Sequence, residues 1–208
     1  MPYPTARPPA GPTARSRTSR MKPAAAVMIG WVALLWVLEA VNGPTGSLST
    51  YGLSPRDVGE LRDVIPMAFL HHGYDHLVSN SVPLLILGFL AALTGLRRFA
   101  AVVLTIMVVG GLGVWLTAAD HTVTAGASGV VFGLLGYLLV RGFVDRNAVD
   151  IVTGLLVLAF YGSALWGVLP TNSAVSWQGH LFGLIGGVLA AFMFRRQPPL
   201  NERITARG

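Results

Sequence analysis

The chain alternates six apolar runs with polar connections. The runs cover approximately residues 24–42, 77–94, 99–118, 127–141, 148–168 and 176–194. Most of them approach the ~20 apolar residues that a helix needs to cross a bilayer. The pattern therefore predicts an all-α polytopic membrane protein with six transmembrane helices, in which residues 23–196 form the membrane domain.

The segments outside the membrane domain are polar, and the basic residues are unevenly distributed. Residues 1–22 are rich in Pro, Ser, Thr and Arg, with no acidic residue and no apolar period, so we expect a disordered basic tail; residues 197–208 form a second tail. Of the 15 Lys and Arg residues, thirteen lie in the tails and in the connections after runs two and four. The other connections contain only Arg56 and Arg62. This bias predicts that both tails are cytoplasmic.

Composition narrows the class of protein further. The chain is 53% hydrophobic and 12% charged, whereas soluble domains contain about 25% charged residues. The net charge of +6 is explained by membrane topology, so we expect no nucleic-acid partner. The chain has no cysteine, which excludes disulfides, thiolate metal sites and a cysteine nucleophile. We expect a multi-pass protein of a bacterial plasma membrane, without a metal or another cofactor.

The fourth run is unusually short and has a serine near its outer end. If Arg141 marks its inner end, about 15 residues cover roughly 22 Å, less than the ~30 Å hydrocarbon core. Ser128 should then lie below the outer surface, at the start of a short fourth helix. Non-helical backbone at that depth is tolerated only beside protein or a water-filled cavity. The sequence thus predicts a polar cavity around Ser128.

Other polar residues are predicted at the same depth. Runs two, four and six cross in the same direction, so their first residues lie at one level. Run two opens with His76 and Asn80, which share one helix face at i and i+4, and run six opens with Gln178 and His180. Polar residues inside a membrane are costly and are by default a functional hypothesis.

Glycines indicate which runs are neighbours. Gly129 and Gly133 are spaced as GxxxG in run four, and Gly179, Gly183 and Gly187 repeat this spacing in run six. Small residues at this spacing allow two helices to pack closely. We therefore expect runs four and six to be in contact, with His180 close to Ser128.

Each polar residue also has a simpler explanation. A serine at a helix start is usually an N-cap, and a single membrane histidine is often a hydrogen-bonded structural group. His71, His72 and His76 could suggest a metal site but lack the HExxH spacing of zinc proteases. We expect the acidic residues at run ends to be solvated or to reach the interface: Glu39, Asp75, Asp120, Asp145 and Asp150.

Three motifs together resemble those of the rhomboid family of intramembrane serine proteases. The GxSG serine motif of the family matches GASG at residues 126–129. Its H-x4-H-x3-N pattern matches His71, His76 and Asn80, and its GH-x2-G pattern matches GHLFG at residues 179–183. The resemblance covers about residues 24–196 with the motifs in the family's order, and it implies a six-helix rhomboid-like bundle.

The resemblance also implies roles for these residues. Ser128 would be the nucleophile and His180 its base, while His76 and Asn80 would stabilise the oxyanion. Phe132 takes the place of a tyrosine that packs on the catalytic histidine in many members, so it cannot supply a hydroxyl. The first outer loop lacks the Trp-Arg pair that many members have. The supporting residues would be Gly126, Gly129, Phe132, Gly179, Gly183 and His71.

Three hypotheses follow for the function. The first is an intramembrane serine endopeptidase that cleaves single-pass membrane proteins near the outer end of their transmembrane segment. The second is a non-catalytic rhomboid-like protein that binds membrane helices as a chaperone. The third is a small transporter, although the sequence lacks the internal inverted repeats that are typical of many transporters. The oligomeric state is open.

Overall fold

The fold is a bundle of α-helices. The computed structural model describes residues 17–171 and 175–196. The helices are α1 (Arg17–Thr45), α2 (Tyr74–Ala92), α3 (Leu96–Thr117), α4 (Ser128–Val144), α5 (Ala148–Tyr161) and α6 (Trp177–Met193). Within these described ranges there is no β-strand, only an isolated bridge between Leu53 and Thr124. The predicted all-α fold class is confirmed.

Four helical stretches are long and apolar enough to cross a membrane. They are Thr18–Gly43, Tyr74–Ala92, Leu96–Thr117 and Ala148–Val168, the last of which joins α5 to a 3-10 segment, Gly162–Val168. Helices α4 and α6 are equally apolar but shorter, with 17 residues each. The chain is therefore a multi-pass membrane protein, and the crossing by all six helices stays a prediction.

Helix α1 begins earlier than the sequence suggested. Residues 17–22 are helical, although the pattern placed them in a disordered tail. The guanidinium of Arg20 donates a hydrogen bond of 2.8 Å to the carbonyl oxygen of Thr94, beyond the end of α2. This bond gives the first turn of α1 a fixed partner. Residues 1–16 and 197–208, the rest of the predicted tails, lie outside the described residues.

One face of α1 is buried along its whole length. Met28 and Leu35 lie on this face, and Glu39 and Asn42 continue it towards the end of the helix. Glu39 was expected to reach the membrane interface. Only 4% of it is exposed, so its carboxyl is buried instead. The Asn42 side-chain oxygen accepts a hydrogen bond from the Leu48 N–H at 2.9 Å and thereby holds the chain where it leaves α1.

Helix α4 is the buried centre of the bundle and packs backbone to backbone against α6. A methyl group added at Gly183 would overlap the carbonyl group of Gly129, and one added at Gly187 would overlap that of Gly133. Hence no larger residue fits at these α6 positions without separating the helices. The predicted contact between the two glycine faces is confirmed.

A cluster of paired charges closes the end of the bundle opposite Ser128. Arg141 pairs with Asp150, and both side chains are buried. Asp145 forms an ion pair with Arg98 at 3.0 Å, and the guanidinium of Arg196 lies 3.5 Å from the Asp150 carboxylate. The expectation that Asp145 and Asp150 are solvated is wrong, because arginines from α3, α4 and the end of α6 compensate their charge.

This cluster also changes the interpretation of Arg141. The sequence predicts that Arg141 marks the inner end of the fourth helix. Arg141 is instead buried and paired with Asp150, and α4 continues to Val144. Its 17 residues still extend only about 25 Å, which is shorter than the hydrocarbon core.

The loop between α1 and α2, residues 46–73, forms a folded cap on α3. It contains the 3-10 helices Ser49–Tyr51, Val58–Val64 and Pro66–Phe69. The indole N–H of Trp115 on α3 donates to the carbonyl oxygen of Asp57 at 2.8 Å. Arg56 forms an exposed ion pair with Asp120. These contacts fix the loop against α3.

We predict that the substitution Asp150→Asn destabilises the protein by about 3–5 kcal/mol, because it leaves buried arginine charge without compensation. The measurement is thermal and denaturant unfolding of the purified protein in detergent. Asp120→Asn is the matched control, since it breaks an ion pair that is exposed to solvent. Equal stability of the two variants would contradict the assigned role of the cluster.

Candidate active site

Ser128 is the first residue of α4, and the backbone that leads to it is firmly held. The Gly126 N–H donates to the carbonyl oxygen of Met67 at 2.9 Å. Leu53 and Thr124 exchange two backbone hydrogen bonds of 2.9 and 3.0 Å. The loop 46–73 thus supplies hydrogen-bond partners for the non-helical backbone before Ser128. As a result, Ser128 has a defined position.

A cavity of about 880 Å³ opens beside Ser128. His76 from α2 and His180 from α6 also line it, so three separate helices contribute to one space. Further polar side chains in its wall are His72, Thr122, Thr124, Thr171, Ser176, Trp177 and Gln178. The cavity agrees with the expectation of a polar space around Ser128.

A second, smaller cavity adjoins the same residues. Its volume is about 220 Å³, and Ser128, His76 and His180 line it as well. Asn80 also lines it, and most of the other residues in its wall are apolar: Pro83, Leu87, Val131, Phe132, Leu135, Tyr161, Ala164 and Val175. Ser128 therefore lies between a larger cavity with several polar side chains in its wall and a smaller, mainly apolar one.

His180 is placed by the start of α6. The Ser176 side chain caps this helix by accepting a hydrogen bond from the Gly179 N–H at 3.2 Å. The backbone oxygen of Gly179 lies 3.1 Å from the position of a methyl group at Gly129. The first turns of α4 and α6 are thus in contact, which brings Ser128 and His180 to the same cavities.

The ring of His180 is fixed on two sides. The ring of Phe132 stacks on it with centroids 4.1 Å apart and an interplanar angle of 6°. Its Nδ1 atom lies 2.9 Å from the backbone carbonyl oxygen of Gly167, in the Gly162–Val168 segment. The contact with Phe132 is the one expected from the sequence. The contact with Gly167 was not foreseen, because a backbone carbonyl has no sequence signature.

His180 and Ser128 are not hydrogen-bonded to each other. Both belong to the described residues and line the same two cavities, but no hydrogen bond joins the hydroxyl to the ring. Such catalytic hydrogen bonds are often long before substrate binds and shorten in the complex. The arrangement provides a hydroxyl and an imidazole at the wall of one cavity.

His76 and Asn80 lie on one face of α2, as their spacing predicts. The His76 ring packs against Gly126, where a methyl group would come within 2.6 Å of its Cε1 atom. Gly126 also has a φ of +147°, which disfavours any other residue. The Asn80 amide nitrogen donates to the carbonyl oxygen of His76 at 2.8 Å. The Asn80 side chain also lines the smaller cavity.

His71 lies behind the cavity wall and contacts both the serine loop and α2. Only 2% of it is exposed. Its Nε2 atom accepts a hydrogen bond from the Ala127 N–H at 3.4 Å, and its ring meets that of His76 edge-on with centroids 5.2 Å apart. Burial, followed by the neighbouring His76 and His72, lowers the pKa of His71 to about 4. His71 is therefore neutral at pH 7 and able to accept this bond.

The histidines are not arranged as a metal site. In residues 17–171 and 175–196, no group of three or more His, Cys, Asp or Glu side chains could hold a metal ion. His71 and His76 instead contact the backbone that leads to Ser128.

Comparisons with known proteins point to one family. The family model described as Rhomboid domain matches residues 58–197. An uncharacterized protein of Mycobacterium tuberculosis strain H37Rv is 40% identical over 199 aligned positions, and the match covers 91% of this chain and 83% of the relative. Two Bacillus subtilis proteins have names that contain the words rhomboid protease. YdcA is 28% identical, and the match covers 84% of this chain and 89% of YdcA. GluP is 27% identical, and the match covers 77% of this chain and 32% of GluP.

The lowered pKa of His71 predicts a pH dependence of stability. Above pH 6.5 His71 is neutral in both the folded and the unfolded chain. As the pH falls from 6.5 towards 4, only the unfolded chain gains the proton at this site, so stability is lost over that window, by at most about 3 kcal/mol.

The measurement is denaturant unfolding in detergent at several pH values between 4 and 7, for the wild type and for His71→Gln. Glutamine can accept the Ala127 hydrogen bond but does not titrate. We expect the wild type to lose more stability on acidification than this variant. Parallel curves for the two proteins would show that His71 does not carry the effect.

Proposed function

The chain belongs to the rhomboid family, and on that basis we propose that it is an intramembrane serine endopeptidase with Ser128 and His180 as its catalytic dyad. The observation that carries the proposal is the shared position of these residues. Ser128, His180 and His76 come from three helices and line the same two cavities.

Ser128 attacks the scissile carbonyl while His180 removes the hydroxyl proton. The new bond joins the Ser128 Oγ atom to the carbonyl carbon and gives a tetrahedral oxyanion. His180 then donates the proton to the leaving amine, and the C–N bond breaks. Water from the 880 Å³ cavity hydrolyses the acyl-enzyme, with His180 again acting as the base.

The start of α4 and one face of α2 stabilise the oxyanion. The first N–H groups of a helix have no partner within the helix, and the helix dipole favours negative charge there. Ser128 contributes such an N–H at the first position of α4. The side chains of His76 and Asn80, which line the same cavity as Ser128, complete the set of donors. Donors that are already in position stabilise charge that develops in the transition state.

The substrates are single-pass membrane proteins. A peptide bond within a helix is hydrogen-bonded and shielded, so the segment must unwind locally to reach Ser128. The mainly apolar cavity of 220 Å³ beside Ser128 suits a side chain that enters from the lipid, whereas the polar side chains in the wall of the larger cavity suit the unwound backbone. The bias of Lys and Arg among the connections places both termini in the cytoplasm. Ser128 then lies towards the other side, so cleavage takes place near the outer face of a bacterial plasma membrane.

We predict that Ser128→Ala abolishes cleavage of a fluorogenic transmembrane peptide in detergent or proteoliposomes, with a fall in kcat of at least about 10⁴-fold. Ser81→Ala is the matched control. Ser81 lies on the face of α2 towards α1, where its hydroxyl bonds Leu77 and Trp36. Retained cleavage by Ser128→Ala would refute the dyad. Binding of the peptide without cleavage by the wild type would favour the non-catalytic binder.

We predict that Asn80→Ala lowers kcat by about 10²- to 10³-fold with little change in KM, because one oxyanion donor is lost. Thermal stability should change little, since the bond from Asn80 to the His76 carbonyl lies within α2. Steady-state kinetics and thermal unfolding of the same preparation separate the two effects. Loss of stability together with complete inactivity would identify Asn80 as a structural residue.

A further inference from the structure

The contact between His180 and Gly167 determines which ring nitrogen carries the proton. The Gly167 carbonyl oxygen lies 2.9 Å from Nδ1 and can only accept a hydrogen bond. Nδ1 must therefore carry hydrogen when this bond is formed in the neutral ring. This leaves Nε2 unprotonated, with a lone pair that can accept a proton. A base that removes a proton from a hydroxyl needs such a nitrogen.

Among residues 17–171 and 175–196, Nδ1 has the Gly167 carbonyl as its hydrogen-bond partner. Within the described residues, no carboxylate forms an ion pair with His180. The buried aspartates Asp145 and Asp150 are engaged with arginines at the opposite end of the bundle. In Ser-His-Asp enzymes, an aspartate orients the histidine through the same nitrogen. Here a backbone dipole occupies the corresponding position.

The local fold explains why this carbonyl is free. The Gly162–Val168 segment is capped by Leu169, whose backbone is extended and whose N–H donates a hydrogen bond to the Trp166 carbonyl oxygen. The last carbonyl groups of a helix have no partner within the helix. The Gly167 carbonyl belongs to this last turn and points at the His180 ring, so the end of the segment places an acceptor at Nδ1.

The contact also requires glycine. A methyl group at position 167 would lie 2.9 Å from the Cζ atom of Phe132 and 3.2 Å from Nδ1 of His180. These distances are too short for both rings to keep their positions. Gly167, Phe132 and His180 therefore form one packed unit from three elements of the fold.

We propose that Gly167 is a positioning residue: its carbonyl holds His180 in the Nδ1–H tautomer and in the orientation that suits proton transfer from Ser128. This role rests on the proposed protease function. The carbonyl dipole also stabilises the positive charge that His180 carries after it has accepted the proton.

The test compares Gly167→Ala with Gly162→Ala. Both substitutions add one methyl group to the same segment, but the methyl at position 162 meets only the flexible side chain of Leu158, at 3.3 Å. We expect Gly167→Ala to lower kcat by about 10- to 100-fold with KM changed less than about twofold, because displacement of His180 affects the chemical step. Gly162→Ala should retain wild-type kinetics, and both variants should unfold at similar temperatures.

The second measurement needs no substrate. NMR of protein labelled with ¹⁵N-histidine distinguishes Nδ1–H from Nε2–H, and loss of a signal in His180→Asn assigns it. We expect Nδ1–H in the wild type and a changed signal in Gly167→Ala. An Nε2–H ring in the wild type, or a fully active Gly167→Ala variant, would overturn the positioning role. A wild type that cleaves no transmembrane peptide contradicts the protease function instead, and the tautomer still decides the geometry.

Discussion

The close approach of α4 and α6 is the contact on which the rest of the site depends. Glycines on both helices let the backbones touch, so the first turns of α4 and α6 are held against each other. In a bilayer, packing of this kind replaces the hydrophobic driving force that joins helices in water. Ser128 and His180 lie in these two turns and gain their common cavity from the contact. The same glycine contacts therefore pack the two helices and place Ser128 next to the cavity that His180 lines.

Several polar groups around Ser128 have partners close by, and these partners also fix the site. The loop before Ser128 is held by Met67 and His71, and the Asn80 amide is oriented by its own helix. The Gly167 carbonyl orients the His180 ring through its contact with Nδ1. Groups that are held before the substrate arrives need little reorganisation during the reaction. The stability of the loops and the chemistry of the site therefore depend on the same hydrogen bonds.

The sequence predicted the helices well, because an apolar run of fixed length has few structures open to it in a membrane. It also predicted that Ser128 and His180 share a cavity, from run direction and glycine spacing. It did not predict the pairing of Arg141 with Asp150, since charge counting treats each residue as solvated unless a partner is known. The sequence also did not predict the contact between Gly167 and His180. Every residue has a backbone carbonyl, and only the fold determines which carbonyl lies beside the His180 ring.

We have proposed that Ser128 is a nucleophile whose oxyanion is bound by the start of α4 and by α2. A crystal structure of the protein after reaction with a fluorophosphonate tests this most directly, because the phosphoryl group imitates the tetrahedral intermediate. We predict a covalent bond from the Ser128 Oγ atom to phosphorus. The same prediction places the phosphoryl oxygen within hydrogen-bonding distance of the Ser128 N–H, His76 and Asn80. A phosphoryl group on another residue, or an oxygen that points away from α2, would contradict it.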